Sequence, residues 1–191
     1  MKARGPGQSA LLLLDVAAIL QDEGVDYVVV GAMAASVHGS VRATMDADAL
    51  ISVGMPKLKH LQRAFKKAGL STDLRLGDAE DPIPALLAVT DKHENRVDVL
   101  AGLRGLDPEA FSRAITVPLR GSSLRVVGRE DFIAMKCFAG GPQDLDDARH
   151  ALQAAKEPTD IDLLRRLSRR FGRPAADALA RLLSPQPNMS N

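Results

Sequence analysis

Asp46 and Asp48 are the two residues of this sequence whose types and spacing are most suited to chemistry. The surrounding residues 47–53 have the composition of a strand, on which side chains two positions apart point to the same face. Two parallel carboxylates repel each other unless positive charge lies between them. A hard divalent cation is the usual solution, so the pair predicts a Mg²⁺ site, whereas an isolated Asp-x-Asp is more often a polar strand edge or turn cap.

The residues upstream of this pair predict a phosphate-binding turn. Gly31 follows an apolar strand at residues 26–30 and precedes a run of small residues at 32–38 that suits a helix. A small residue there lets backbone N–H groups approach an anion, although a tight turn is the alternative for Gly31 alone. Ser36 adds a hydroxyl and Arg42 a permanent cation. A phosphate-binding turn followed by a metal-binding pair of carboxylates is what a triphosphate substrate requires.

A third carboxylate, Asp98, lies within an otherwise apolar strand at residues 96–100. A lone Asp in such a run must be solvated, paired or functional. One interpretation is a salt bridge to Arg96 or to a neighbouring strand. The other is a third metal ligand, because two metals about 3.5–4 Å apart could be bridged by three carboxylates. The sequence leaves both interpretations open.

Lys136 and Asp144 form a second candidate pair. Lys136 lies on a predicted helix at residues 129–139, where its ammonium group could contact a phosphate or extend to solvent. Asp144 could cap the following helix or pair with Lys136.

The periodicity of the whole chain predicts a mixed α/β half followed by a helical half. Ser9 is the predicted N-cap of the first helix. Helices are predicted over residues 9–23, 32–38, 56–68, 107–114, 129–139, 143–155, 160–171 and 174–183. Strands are predicted over residues 26–30, 47–53, 84–89, 96–100, 115–119 and 124–127, with 84–89 and 96–100 forming a hairpin. The boundary near Gly128 divides the chain into predicted domains at 1–128 and 129–191.

The composition indicates an ordinary globular chain. Of its 191 residues, 46% are hydrophobic and 26% charged, and the formal net charge of +1 gives no sign of a nucleic-acid binder. Cys137 is the single cysteine, which excludes an internal disulfide and a cysteine-based zinc site. The apolar run at residues 10–14 is far shorter than the roughly 20 residues of a membrane span. We therefore expect a cytoplasmic protein with no membrane partner.

The order of these motifs resembles the polymerase β-like nucleotidyltransferase superfamily and, within it, the AbiEii-type bacterial proteins. The residues that carry the resemblance are Gly31, Ala32, Arg42, Thr44, Asp46, Asp48, Asp98, Lys136 and Asp144. Ala32 stands where the family usually has a second Gly or a Ser. The resemblance implies an α+β fold, in which a mixed twisted sheet flanked by helices is followed by a small C-terminal helical part.

The same resemblance implies an activity and roles for residues. The expected reaction moves an NMP from an NTP to an acceptor hydroxyl and releases pyrophosphate, with one or two Mg²⁺ ions bound. The implied catalytic and metal-binding residues are Asp46, Asp48 and Asp98. The implied nucleotide-binding residues are Gly31, Ala32, Ser36, Arg42, Lys136 and Asp144.

The acceptor is not readable from the sequence. It could be the 3′ end of a tRNA, a protein hydroxyl or a small molecule such as an antibiotic. AbiEii-type proteins are often the toxin of a toxin–antitoxin pair, so the resemblance also implies an antitoxin as a partner. The alternative function is a catalytically degenerate nucleotidyltransferase fold that binds a nucleotide or a partner protein.

Overall fold

The computed structural model describes residues 3–40 and 46–184, which form one mixed β-sheet flanked by helices. The strands are β1 Tyr27–Val30, β2 Asp46–Ile51, β3 Ser71–Leu76, β4 Ala85–Thr90, β5 Arg96–Ala101, β6 Ile115–Leu119 and β7 Ser122–Val126. The α-helices are α1 Ser9–Asp22, α2 Gly31–Val37, α3 Met55–Lys67, α4 Arg129–Ala139, α5 Pro142–Gln153, α6 Ile161–Arg170 and α7 Arg173–Leu183. This is the α+β architecture that the sequence predicts.

The sheet has seven strands in the order β3-β4-β5-β2-β1-β7-β6. Strand β2 pairs with β1 in the antiparallel direction and with β5 in the parallel direction. The predicted hairpin is confirmed, because β4 and β5 are antiparallel neighbours. As β2 is the central strand, the side chains that it carries lie in the middle of the sheet.

The two faces of this sheet differ in burial, although the more exposed face also contains two buried side chains, Leu50 and Ala88. On one face the alternate residues of β2 and β5, such as Ala47, Ala49, Val97 and Val99, are almost completely buried, and α1 contacts both strands. We call the other side of β2–β5 the carboxylate face. Its side chains, assigned by strand alternation and register, are those of Asp46, Asp48, Leu50, Ser71, Asp73, Arg75, Leu86, Ala88, Thr90, Arg96, Asp98 and Leu100.

The structure contains one strand that was not predicted and contradicts two predictions about helices. Strand β3 was not predicted, because its sequence STDLRL is mostly polar and its side chains are mostly exposed at the edge of the sheet. The helix predicted at residues 107–114 is only a single 3₁₀ turn, Pro108–Phe111, whose N-cap Asp107 accepts a hydrogen bond from the Glu109 amide. Ser9 is the first helical residue rather than the N-cap of α1, which is Gln8.

The C-terminal helices pack as a group around α4, which contacts α5, α6 and α7. The hydrophobic core is continuous across residue 128, since Val126, Phe132 and Leu164 belong to the same cluster of buried side chains. The division into domains at 1–128 and 129–191 therefore stays a proposal. Among the described residues, no helix is long and apolar enough to cross a membrane.

Candidate active site

The sheet register brings the three predicted carboxylates together. Asp48 on β2 is the direct partner of Asp98 on the parallel strand β5, and it also faces Val30 on β1. Asp46 lies two residues earlier on β2, opposite Arg96. Residues that are partners in a register share a face of the sheet and have closely spaced side chains. The site is therefore centred on Asp48, between the end of β1 and the middle of β5.

Gly31 is the residue against which the Asp48 carboxylate rests. It follows β1 directly, begins α2 and has a φ of +64°, a conformation that L side chains rarely adopt. A Cβ atom built at this position would lie 2.0 Å from Oδ2 of Asp48. Glycine is therefore required here for two separate reasons, its backbone conformation and the close approach of the carboxylate.

Burial and nearby negative charge both weaken the acidity of Asp48. Burial first, and then the charges of Asp98 and Asp46, raise the pKa of its carboxyl group from 3.8 to about 6. The cations Lys136 and Arg96 oppose this rise. A bound cation would strongly stabilise the charged form of this carboxylate, because its positive charge would offset the cost of burial and the repulsion from Asp98 and Asp46.

Asp98 has a counter-ion on its own strand. The Arg96 guanidinium donates from Nε to Oδ1 of Asp98 at 2.7 Å and from Nη2 to Oδ2 at 3.0 Å. The salt bridge to Arg96, one of the two interpretations of Asp98, is thus present. It coexists with the position of Asp98 beside Asp48, so the functional interpretation stays open as a prediction.

The oxygen atoms available at the site are chemically suited to bind a divalent cation. Asp46 and Asp48 offer the carboxylate oxygens that Mg²⁺ prefers. Because Gly31 has no side chain, the Asp48 carboxylate can occupy the space beside it. Within residues 3–40 and 46–184, however, no three Asp, Glu, His or Cys side chains converge closely enough to hold a metal ion. The residues therefore fit an ion held by Asp46 and Asp48, which Asp98 can join only when its oxygens leave Arg96.

Lys136 reaches the site from α4 and is held by two carboxylates of α5. Its Nζ donates to Oδ1 of Asp144 at 2.7 Å and lies 2.9 Å from Oδ2 of Asp147. Asp147 is only 2% exposed and also accepts a hydrogen bond from the Ser40 hydroxyl at 2.6 Å. The predicted pairing of Asp144 with Lys136 is present in the structure, and it does not cap α5, whose N-cap is Gly141.

Asp147 is the residue of this network that sequence reasoning missed. It belongs to the run Asp-Leu-Asp-Asp at 144–147, in which the first Asp was the natural candidate because of its place near a helix start. Its spacing of eleven residues from Lys136 carries no signal, because the two residues meet through the packing of α4 on α5.

We expect unequal effects when the two carboxylates that hold Lys136 are removed. Asp147→Ala leaves a buried ammonium without its most buried partner and should lower the free energy of unfolding by about 3–5 kcal/mol. Asp144→Ala removes a carboxylate that is 31% exposed and should cost about 0.2–1 kcal/mol. Urea denaturation of both variants measures the difference. Equal losses would show that Asp147 is no more important to Lys136 than Asp144.

The Ser36 hydroxyl, which was predicted to bind phosphate, is bonded within its own helix instead. The Ser36 hydroxyl donates to the carbonyl oxygen of Ala32 at 3.1 Å, within α2. Ala32 is the second residue of that helix. Arg42 and Thr44 lie outside the described residues. The roles of Ser36, Ala32 and Arg42 with a nucleotide therefore stay predictions.

Residues 10–179 match the model of a family described as nucleotidyl transferase of unknown function (DUF2204). The chain belongs to this family. It is thus a nucleotidyl transferase, as the order of its motifs predicted, and its fold is the nucleotidyltransferase fold. No curated protein matches the sequence.

Solved structures with a similar fold are also nucleotidyltransferases or nucleotidyltransferase-like proteins. ANT(2'')-Ia in complex with adenylyl-2''-tobramycin has a TM-score of 0.58 at 12% identity, and the match covers 86% of this chain and 96% of that one. A nucleotidyltransferase-like protein from Paracoccidioides brasiliensis has a TM-score of 0.59 at 16% identity, over 90% and 85% of the chains. The lincosamide antibiotic adenylyltransferase LnuA, bound to lincomycin, has a TM-score of 0.50 at 12% identity, over 80% and 100%. At these identities the likeness concerns the fold.

Proposed function

We propose that this nucleotidyl transferase is a Mg²⁺-dependent enzyme that moves an NMP from an NTP to an acceptor hydroxyl and releases pyrophosphate. The observation that carries the proposal is that the strand register places Asp48 directly beside Asp98. Gly31, which has no side chain, provides the space that the Asp48 carboxylate occupies. A carboxyl group whose pKa is raised to about 6 by burial and by neighbouring carboxylates destabilises the fold, and such groups are typical of functional sites.

Each residue of the site has a role in this proposal. Asp46 and Asp48 hold the metal, which when bound neutralises the charge that develops on the transferring phosphoryl group. Asp98 positions the acceptor hydroxyl and takes its proton. Lys136, whose direction is set by Asp144 and Asp147, contributes a positive charge to the phosphates.

Asp46→Asn is the direct test of the proposed metal role. The neutral amide keeps the shape of the side chain but is a poor Mg²⁺ ligand, so transfer of label from an α-³²P NTP should be lost. The fold should persist, because Asp46 is exposed at the start of β2. Asp162→Asn is the matched control, since Asp162 is 97% exposed on α6. Label transfer by Asp46→Asn at the wild-type rate would overturn the metal role.

For the acceptor we propose a hydroxylated small molecule. The support is that ANT(2'')-Ia and LnuA, which have a similar fold, are bound to an adenylylated antibiotic and to an antibiotic respectively. A tRNA end and a protein hydroxyl are the competing acceptors, and a panel of labelled reactions with total tRNA, with the protein itself and with tobramycin separates the three. We also propose a cytoplasmic location for this activity, because the reaction consumes NTP.

The resemblance to AbiEii-type proteins supports a narrower proposal, in which the protein is a toxin with an antitoxin partner. Expression of the wild-type chain should then arrest bacterial growth, whereas the Asp46→Asn variant should not. Arrest by both variants would contradict a toxin role that depends on nucleotidyl transfer.

One observation favours a second candidate function, a degenerate fold that binds a nucleotide without catalysis. Both oxygens of Asp98 are engaged by Arg96 in the structure. Titration calorimetry with each NTP, with and without Mg²⁺, combined with a pyrophosphate-release assay separates the two functions. Binding without any release across the acceptor panel would favour the degenerate fold.

A further inference from the structure

The carboxylate face is bordered on one side and open on the other. On the β1 side, the start of α2 lies against Asp48, and Lys136 of α4 is close enough to influence its pKa. On the β4 and β5 side, Leu86, Thr90 and Leu100 are only half-buried. The opposite face of the same strands is buried, so the difference reflects which face the helices cover.

A single row of register partners crosses this open side. Asp98 on β5 is opposite Ala88 on β4, and Ala88 is opposite Asp73 on β3. Neighbouring strands are about 4.8 Å apart, so Asp73 lies roughly 10 Å from Asp98 across the sheet. Ala88 has the smallest side chain of the row and is buried, so the side chains around it form the surface between the two carboxylates. Asp73 is also close enough to Arg96 to influence its pKa.

Asp73 is able to exchange its partner at little cost. Its carboxylate pairs with Arg75, two residues along the same strand, at 2.8 Å, and the two side chains are 58% and 65% exposed. An exposed ion pair of this kind contributes little to stability. An amine presented by a bound molecule can therefore replace the Arg75 guanidinium without a large penalty.

Resting on the proposed transfer reaction, we propose that the open part of the carboxylate face is the acceptor site, and that Asp73 selects an acceptor carrying an amine. We call this part the acceptor platform and define it by Asp73, Leu86, Ala88, Thr90 and Leu100. Leu86 and Leu100 offer aliphatic surface for the carbon skeleton of the acceptor. The hydroxyl to be modified then lies at Asp98, and the amine about two strand spacings away at Asp73.

The chemistry of the step is balanced by groups already described. The acceptor hydroxyl oxygen forms a bond to the α-phosphorus of the NTP, and the bond from that phosphorus to the bridging oxygen of the β-phosphate breaks. Pyrophosphate leaves with the electron pair of that bond. The hydroxyl proton passes to the carboxylate of Asp98.

The charges of the face favour a cationic acceptor over a neutral one. Its carboxylates are those of Asp46, Asp48, Asp73 and Asp98, and its guanidinium groups are those of Arg75 and Arg96. Among the described residues, carboxylates therefore outnumber cations at the face even when Lys136 beside Asp48 is counted. The triphosphate of a bound NTP adds more negative charge than a Mg²⁺ ion held by Asp46 and Asp48 would offset. Complementary charge at this distance increases both the affinity for an amine and the rate of encounter.

Binding of tobramycin tests the proposal, because tobramycin carries several amines and hydroxyls on a compact skeleton. Titration calorimetry measures its Kd with the wild-type chain, and a fully N-acetylated tobramycin serves as the uncharged probe. We expect Asp73→Asn to weaken tobramycin binding about tenfold, the loss expected for one hydrogen bond to a charged group. Asp162→Asn should leave the Kd unchanged, and N-acetylated tobramycin should bind equally weakly to wild type and Asp73→Asn.

A second pair of variants tests the location. Leu86 lies on the acceptor platform, whereas Leu76 on β3 is 65% exposed and faces the opposite side of the sheet. Leu86→Gln should weaken tobramycin binding and Leu76→Gln should not, with thermal unfolding confirming that both variants are folded. In ¹⁵N-labelled protein, tobramycin should shift the amide signals of β3–β5.

Failure of this inference is distinguishable from failure of the proposed function. The absence of tobramycin binding, or binding that is unchanged in Asp73→Asn and Leu86→Gln, would overturn the acceptor platform. ATP binding in the presence of Mg²⁺, lost in Asp46→Asn, reports separately on the nucleotide and metal site. If Asp46→Asn bound ATP and Mg²⁺ as well as wild type does, the proposed metal site would be wrong. The tobramycin measurements would still decide whether the acceptor platform binds an amine.

Discussion

Replacing Asp48 with Asn should abolish nucleotidyl transfer and, near neutral pH, make the protein more stable. Asp48 is the central carboxylate of the site, so its loss removes a metal ligand worth several kcal/mol in the transition state, a drop of about 1,000-fold or more in rate. When charged, the same carboxylate lowers the stability of the folded state, since burial and the charges of Asp98 and Asp46 raise its pKa to about 6.

The sign of the stability effect follows from this raised pKa. Between about pH 3.8 and 6 the folded state binds a proton that the unfolded state has released, so stability falls as the pH rises through this window. Above it, the charged carboxyl group destabilises the fold by up to about 3 kcal/mol, at about 1.4 kcal/mol for each pH unit of the shift. Asn is neutral at every pH and escapes this cost.

Urea unfolding at about pH 4 and about pH 7 measures the effect. The stability gain of Asp48→Asn over wild type should be present at the higher pH and much smaller at the lower one. Added Mg²⁺ should stabilise the wild type and not the variant. Asp162→Asn serves as the control for removal of an exposed carboxylate. A variant that is less stable than wild type at neutral pH would contradict the electrostatic account of this site.

The parts of the fold that the sequence predicts are those with strong local signals. The two runs of β4 and β5 are apolar and separated by a polar turn, and they form the predicted hairpin. The helices of the C-terminal half carry clear apolar periodicity and lie within two residues of their predicted bounds. Strand β3 lacks such a signal, because an edge strand with exposed polar side chains resembles a loop in sequence.

Some features of the site are likewise visible in the local sequence, whereas others depend on contacts between distant parts of the chain. The spacing of Asp46 and Asp48 is visible along the chain, and so is the isolation of Asp98 among apolar residues. That Asp98 lies beside Asp48 depends on the parallel pairing of β2 with β5, which are separated by three other elements of the chain. The burial of Asp147 and the position of Asp73 in the same row as Asp98 depend on tertiary packing and register, which no local pattern encodes.

Gly31→Ala should damage both stability and activity, and Gly24→Ala provides a matched control. Both glycines have nearly the same backbone conformation, with φ of +64° and +66°. Alanine at either position costs about 1–2 kcal/mol for this left-handed conformation. At Gly24 an added Cβ meets nothing within 4 Å, whereas at Gly31 it lies 2.0 Å from Oδ2 of Asp48. The difference between the variants therefore isolates the contact with the carboxylate.

We expect Gly31→Ala to cost about 1–3 kcal/mol more than Gly24→Ala, because the Asp48 side chain or strand β2 must move to relieve the overlap. Transfer by Gly31→Ala should fall about 100-fold, since a displacement of about 1 Å at a reacting centre has an effect of this size. Gly24→Ala should transfer at the wild-type rate. Chemical denaturation and the α-³²P label assay measure the two quantities.

A double-mutant cycle decides whether the damage passes through Asp48. In an Asp48→Ala background the carboxylate is absent, and the nearest remaining atom of residue 48 is its Cβ, 3.3 Å from the added methyl group at Gly31. Most of the extra cost of Gly31→Ala over Gly24→Ala should then be lost, and the reduction is the coupling energy between the two positions. A cost that is the same in both backgrounds would show that Gly31 serves the turn alone. Its reduction would tie the glycine of the turn directly to the placement of the central carboxylate.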